Sequence, residues 1–127
     1  MAIGIILVDH GSRVAESNEL LVRVAEAFGK RFWGRYPIVE PAHMEIARPT
    51  IAEAYGRCVQ RGAEMVIVVP YFLGPGKHWT EDIPRLAAEA AKQFPGTRYH
   101  VTPYLGIDDL MLDLLDKRIS ESLAEGG

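Results

Sequence analysis

The sequence predicts an α/β domain: one parallel sheet of four strands between layers of helices. Strand-like and helix-like segments alternate four times along 127 residues. The strand segments are short apolar runs, and the helical segments carry apolar residues at intervals of three and four. Alternation of that kind builds parallel strands joined by right-handed helical crossovers.

Ala2–Val8 is a continuous, β-branched-rich run, the pattern of a strand covered on both faces. Leu21, Val24, Ala25, Phe28 and Phe32 follow at helical spacing. Ile38–Ile46 reads as a second extended segment, and Ile51, Ala54, Tyr55, Cys58 and Val59 as the next helical stripe. Thr50 with Glu53 makes a capping box at the start of that helix and Gly62 a stop at its end. Met65–Val69 is the most apolar stretch and the third strand. A third helix carries Ile83, Leu86, Ala87, Ala90, Ala91 and Phe94, with Thr80 placed as its cap and Glu81 and Asp82 at the positive end of its dipole. Arg98–Thr102 is the fourth strand, Met111, Leu114, Leu115 and Ile119 mark the last helix, and residues 124–127 fray. The expected strand order is 2-1-3-4, in a three-layer α/β/α arrangement forming a single domain, 1–127. Ligands of such sheets bind beyond the carboxyl ends of the strands, near the point where the order reverses.

Composition narrows the function. The chain is 48% apolar and 24% charged with a net charge of −3, which supports one ordinary core and argues against nucleic acid, whose phosphates demand a basic excess. One cysteine, Cys58, excludes an internal disulfide and a cysteine zinc site; it falls on the apolar side of its helix and reads as core. The absence of a basic leader or a bilayer-length apolar run makes the expected location cytoplasmic, away from membranes.

The chemistry collects at the predicted strand ends. Asp9, His10, Gly11, Ser12 and Arg13 follow strand 1; His43, Met44 and Glu45 close strand 2; residues 70–79, with Gly74-Pro75-Gly76-Lys77-His78, follow strand 3. With order 2-1-3-4, His10 sits centrally, Glu45 on one side and His78 on the other, strands being about 4.8 Å apart. Two imidazoles and a carboxylate suit metal binding or proton transfer. Taken singly, each has a plainer reading: His10 or His78 as hydrogen-bonded structural residues, Glu45 as a partner of Arg48. His43, on the same side of its strand as Glu45, reads as core or as support for the site, and His100 as structural. Tyr71, Phe72, Leu73, Trp79 and Met44 are candidates to wall a flat apolar cavity, with Gly74 and Gly76 permitting close approach. Arg13, Arg48 and Lys77 are candidates to meet carboxylates at its rim. Neither the glycines after strand 3 nor Asp9-His10-Gly11 match a nucleotide-binding pattern.

Residues 6–13, Met44-Glu45 with Arg48-Pro49-Thr50-Ile51, the segment from Pro70 through Gly-Pro-Gly-Lys-His to Glu81-Asp82-Ile83-Pro84, and Pro103-Tyr104-Leu105-Gly106 together resemble the small CbiX-type sirohydrochlorin chelatases. The resemblance implies a chelatase-like fold (half of a flavodoxin-like arrangement) and ATP-independent insertion of Co²⁺, or Fe²⁺, into sirohydrochlorin, in cobalamin or siroheme biosynthesis. It implies no permanently bound cofactor and a homodimer in place of the two domains of larger relatives. It places the family's two active-site histidines, the metal-binding and catalytic pair, on His10 and His78, and its glutamate on Glu45. His43 departs from the apolar or aromatic residue expected there. Two other classes stay open: phosphoryl transfer through His10, which would want more arginines than Arg13, and a tetrapyrrole or metal carrier without catalysis.

Overall fold

The computed structural model describes residues 1–76 and 79–126. The elements run β1 (Ile3–Asp9), α1 (Ala15–Arg31), β2 (Ile38–His43), α2 (Ile51–Gln60), β3 (Met65–Pro70), α3 (Trp79–Lys92), β4 (Arg98–Val101) and α4 (Asp109–Ala124). All pairings are parallel and the order is β2-β1-β3-β4, as the alternation and the single reversal predict.

Central β1 is buried on both faces: Ile6 and Val8 face α2 and α3, while Ile5 and Leu7 face α1. One core joins Ile6, Val8, Val66 and Val68 to Ile51, Ala54, Tyr55 and Cys58 of α2 and Ile83, Ala87 and Ala90 of α3. The other is smaller and holds Leu21 and Ala25 of α1 on Ile5 and Leu7. Gly4 sets how closely α2 approaches, since a Cβ there would lie 2.8 Å from Cys58 Cβ. Cys58 is core as expected, and burial pushes its thiol up to about 12, with Glu40 adding to the effect and Arg61 opposing it. Tyr55 is buried; its hydroxyl lies 2.8 Å from Thr97 Oγ1, which donates to the Phe94 carbonyl, and its ring stacks on Phe94.

The capping box forms as predicted: Glu53 N–H donates to Thr50 Oγ1 at 3.1 Å and Thr50 N–H to Glu53 Oε1 at 2.9 Å. Arg48 also binds Glu53. The Arg48 hydrogen bond, then the Thr50 amide, hold the Glu53 carboxyl down at about 2, from an ordinary 4.5. A carboxylate with a depressed folded-state value stabilises the fold above its unfolded value and loses that contribution as pH falls through the folded one. Stability should therefore decline between about pH 4.5 and pH 2, and the decline should be shallower in Glu53→Gln when urea midpoints are compared across that range. Equal slopes would remove Glu53 as a source.

Three elements differ from expectation. β2 stops at His43 rather than Ile46, because Ile46 has φ +72°, a left-handed backbone that ends extended structure. α3 begins at Trp79, so Thr80 is not its cap but lies within the first turn, its Oγ1 donating to the Gly76 carbonyl at 2.9 Å. The helix also accommodates Pro84, giving up the bond that residue's N–H would make to Thr80. α4 forms, yet none of its residues is buried.

Candidate functional site

β1 and β2 stay paired beyond their formal ends, and this places the first two site groups. The last register pair is Asp9 with His43. Past it, Met44 N–H donates to the Asp9 carbonyl at 2.9 Å and Glu45 N–H to the His10 carbonyl at 3.1 Å. His10 and Glu45 therefore emerge side by side on the rim. His10 Nε2 lies 2.8 Å from Glu45 Oε1, and both side chains are more than half exposed, at 54% and 55%.

Close approach requires Gly11. Its φ is +94°, and a Cβ on it would run into the Glu45 carbonyl oxygen. That same carbonyl accepts from Ala47 N–H at 2.8 Å, closing a three-residue turn about Ile46. A γ-turn of this hand is rare and strained, and a β-branched residue in it costs about 1–3 kcal/mol. The strain sits directly behind Glu45. His43 N–H donates to the Pro49 carbonyl at 2.9 Å and closes the base of the loop.

Beneath the pair, His43 is buried at 1% exposure, with Nδ1 2.6 Å from Asp9 Oδ1. His43 thus supports the rim, and it does not share Glu45's side because the chain turns out of the sheet between them. On the other flank Asn18 holds the loop after His10: its Oδ1 accepts from Ser12 N–H at 3.0 Å and its Nδ2 donates to the Ser12 carbonyl at 2.8 Å. Sequence reading missed Asn18 and the role of Asp9. An amide in the first turn of an uncapped helix was the available signal for Asn18.

The wall is aromatic. Phe72 meets His10 edge-on at 6.5 Å, Trp79 stacks on Phe72 at 4.5 Å with planes 6° apart, and Tyr104 packs edge-on against Trp79 at 5.8 Å. Gly76 leaves room for the Trp79 ring to lie against the backbone. Leu105 N–H donates to the Phe72 carbonyl and Gly106 N–H to that of Leu73, tying this wall to the segment after β4. Leu73 is 70% exposed, Tyr71 is partly exposed, and Gly74 is half-buried.

Not every candidate reaches the rim. Met44 is buried in the main core, so it does not wall the cleft: the continued pairing of the strands turns its side chain inward. Arg48 pairs with Glu53 and not with Glu45. Arg13 is exposed on its loop, and His100 is exposed on edge strand β4. Lys77 and His78 lie outside the described residues. Among the described residues no cluster of three or more His, Cys, Asp or Glu side chains could hold a metal, leaving the nitrogen and oxygen donors of His10 and Glu45. No helix among them is long and apolar enough to cross a membrane. A groove of about 600 Å³ between α1 and the β2 edge, lined by Ala25, Gly29, Trp33, Val39 and Pro41 among others, is apolar and separate from this rim.

Known proteins resemble this chain in sequence and in fold. The model of the CbiX family matches residues 4–122. The chloroplastic sirohydrochlorin ferrochelatase of Arabidopsis thaliana is 51% identical over 121 residues, covering 95% of this chain and 53% of that protein. The sirohydrochlorin cobaltochelatase of Sulfolobus acidocaldarius is 32% identical over 125 residues, covering 98% of this chain and 96% of that one. Among solved structures, SirB from Bacillus subtilis with Fe³⁺ superposes with a TM-score of 0.86 at 28% identity, covering 95% of this chain and 47% of SirB. The chain thus spans about half the length of the Arabidopsis and Bacillus proteins it matches.

Proposed function

The chain belongs to the CbiX family, and from that premise we propose that it inserts Co²⁺ or Fe²⁺ into sirohydrochlorin without ATP. The observation that carries the reading is the exposed His10–Glu45 pair, 2.8 Å apart, at the edge of an aromatic wall where the sheet presents its strand ends. The names of the relatives, a ferrochelatase and a cobaltochelatase of sirohydrochlorin, support the same reaction and both metals.

The chemistry follows from what insertion demands. Two pyrrole protons must leave while the ion exchanges water for four ring nitrogens. With Nε2–H donated to Glu45, the lone pair of His10 rests on Nδ1, free to take a metal or a proton. A carboxylate behind an imidazole fixes its tautomer and raises its basicity. Glu45 thus orients His10 and stabilises the imidazolium that forms when a pyrrole proton arrives. His78, carried over from the resemblance, supplies the second imidazole. Two or three donors leave most of the coordination sphere open, as a metal in transit requires. Phe72 and Trp79 offer the apolar wall for the macrocycle's face. Arg13 and Lys77 orient its carboxylates, and Arg48, already engaged by Glu53, contributes only its remaining N–H groups. The open rim suits closure by a second copy, giving a homodimer.

Purified chain mixed with sirohydrochlorin and Co²⁺, Fe²⁺ or Ni²⁺ should metallate the ring faster than buffer, read from the absorbance bands of the macrocycle. Binding of the ring with no rate above the spontaneous reaction for any metal would make the chain a carrier and end the enzymatic reading.

A further inference from the structure

Met44 is the apolar residue that the sequence offers to the cleft at the end of β2, and the structure buries it in the main core. What reaches the rim there is Ile46. It is 60% exposed and directly follows Glu45, whose side chain bonds to His10.

Ile46 carries two costs at once. Its φ is +72°, and among the described residues it is the only one other than glycine with a positive φ. A β-branched side chain is poorly suited to that backbone, and glycine would relieve it. The side chain also stays largely in water, so its burial returns little to the fold. Exposed apolar residues are common taken singly. Exposure combined with a strained backbone is not accounted for by folding. Strained positions gather at ligand sites, where the surrounding structure holds them in place.

That hold is present. Glu45 N–H donates to the His10 carbonyl at 3.1 Å, Ala47 N–H to the Glu45 carbonyl at 2.8 Å, and His43 N–H to the Pro49 carbonyl at 2.9 Å. The backbone around Ile46 is thus pinned to β1 and closed at its base. A β-branched side chain on a fixed backbone has few rotamers to lose when it meets a ligand. Leu73, after β3, is its counterpart and is 70% exposed. β1 lies between β2 and β3, so these two aliphatic residues follow the strands on either side of the one that carries His10. The strand ends concerned are two spacings apart, roughly 10 Å, a span that a flat macrocycle covers.

We propose that Ile46 is a substrate-contacting residue whose side chain packs against the tetrapyrrole beside the His10–Glu45 pair, opposite Leu73. This deepens, and rests on, the metal-insertion reading above. Ile46 moves no proton and binds no metal; it helps set where the ring sits over His10. Its loss should therefore appear in affinity for the ring and not in the rate at saturation.

Ile46→Gly, Ile46→Ala and Ile46→Val separate the side chain from the strain. Glycine removes both, alanine removes the contact but keeps the left-handed penalty, and valine keeps both. Sirohydrochlorin without metal is titrated into each full chain, with binding read from quenching of tryptophan fluorescence. Kd should rise about tenfold for glycine and alanine and only about twofold for valine, in proportion to the apolar surface lost. The urea midpoint of Ile46→Gly should be no lower than that of the unaltered chain, and the saturated insertion rate should hold in all three. Unchanged affinity in the glycine and alanine variants would overturn the contact. So would affinity lost with glycine but kept with alanine, which assigns the effect to the loop backbone, or a loss confined to the saturated rate, which makes Ile46 a support for Glu45. Insertion by the unaltered chain with affinities that do not move defeats the contact alone. Binding without insertion, with the affinities moving as expected, defeats the chelatase reading alone, and no binding of the ring to the unaltered chain defeats both.

Discussion

If the proposed chelatase reading holds, His10→Ala should lower the rate of metal insertion at saturating sirohydrochlorin by about a thousandfold, the middle of the range for a positioned acid–base group. The side chain is exposed and, among the described residues, its one hydrogen bond joins two exposed groups, so the fold should lose less than about 1 kcal/mol. Function and folding are therefore separable at this position. Glu45→Gln is the graded companion. Its amide oxygen still accepts from Nε2–H, but the charge that stabilises the imidazolium is gone. The expected loss is about 10- to 100-fold, typical of the carboxylate behind a metal-binding histidine. The order His10→Ala below Glu45→Gln below unaltered chain, measured by absorbance with near-ultraviolet circular dichroism unchanged, supports the assigned roles. Insertion at the unaltered rate in His10→Ala would refute them.

How much of this was legible in the sequence depends on how far apart the interacting residues lie. The capping box at Thr50 and Glu53 spans three residues, and local chemistry announces it. The strand order follows from the alternation of elements and one reversal, and that placed His10 beside Glu45, as found. The Asp9–His43 bond joins residues 34 apart and depends on register, which no local pattern displays. Ile46 ends the segment the sequence marks as extended, and β-branched residues favour that backbone; its positive φ is imposed by the closing of the loop against its own preference. Met44 is a candidate for the apolar wall in the sequence, but the continued β1–β2 pairing turns it into the core. The apolar run Met65–Val69 marks a strand, as found. Apolarity does not say how deeply each residue is covered: Val66 and Val68 are buried, whereas Met65, Ile67 and Val69 are only half-buried.

Gly11→Ala should damage stability and activity together, by a route that involves no reacting group. Two penalties combine. At φ +94° an L-residue pays about 1–2 kcal/mol for the left-handed backbone. The added methyl also meets the Glu45 carbonyl oxygen, with Glu45 C at 3.0 Å and His43 Cβ at 3.3 Å closing off alternatives. Relief requires the two rim segments to part, which breaks the Glu45 N–H bond to His10 and separates the side chains that bond sets side by side. A loss of about 3 kcal/mol, within the usual span for strain plus overpacking, should appear in urea unfolding, and insertion should fall nearly as far as in His10→Ala. Gly62→Ala is the control. Its φ of +103° carries the same conformational penalty, but nothing lies within 4 Å of a Cβ there. That variant should lose only about 1–2 kcal/mol and keep its activity. If the two alanine variants match in both measurements, backbone conformation alone governs Gly11, and close approach of the strands is not what holds His10 against Glu45.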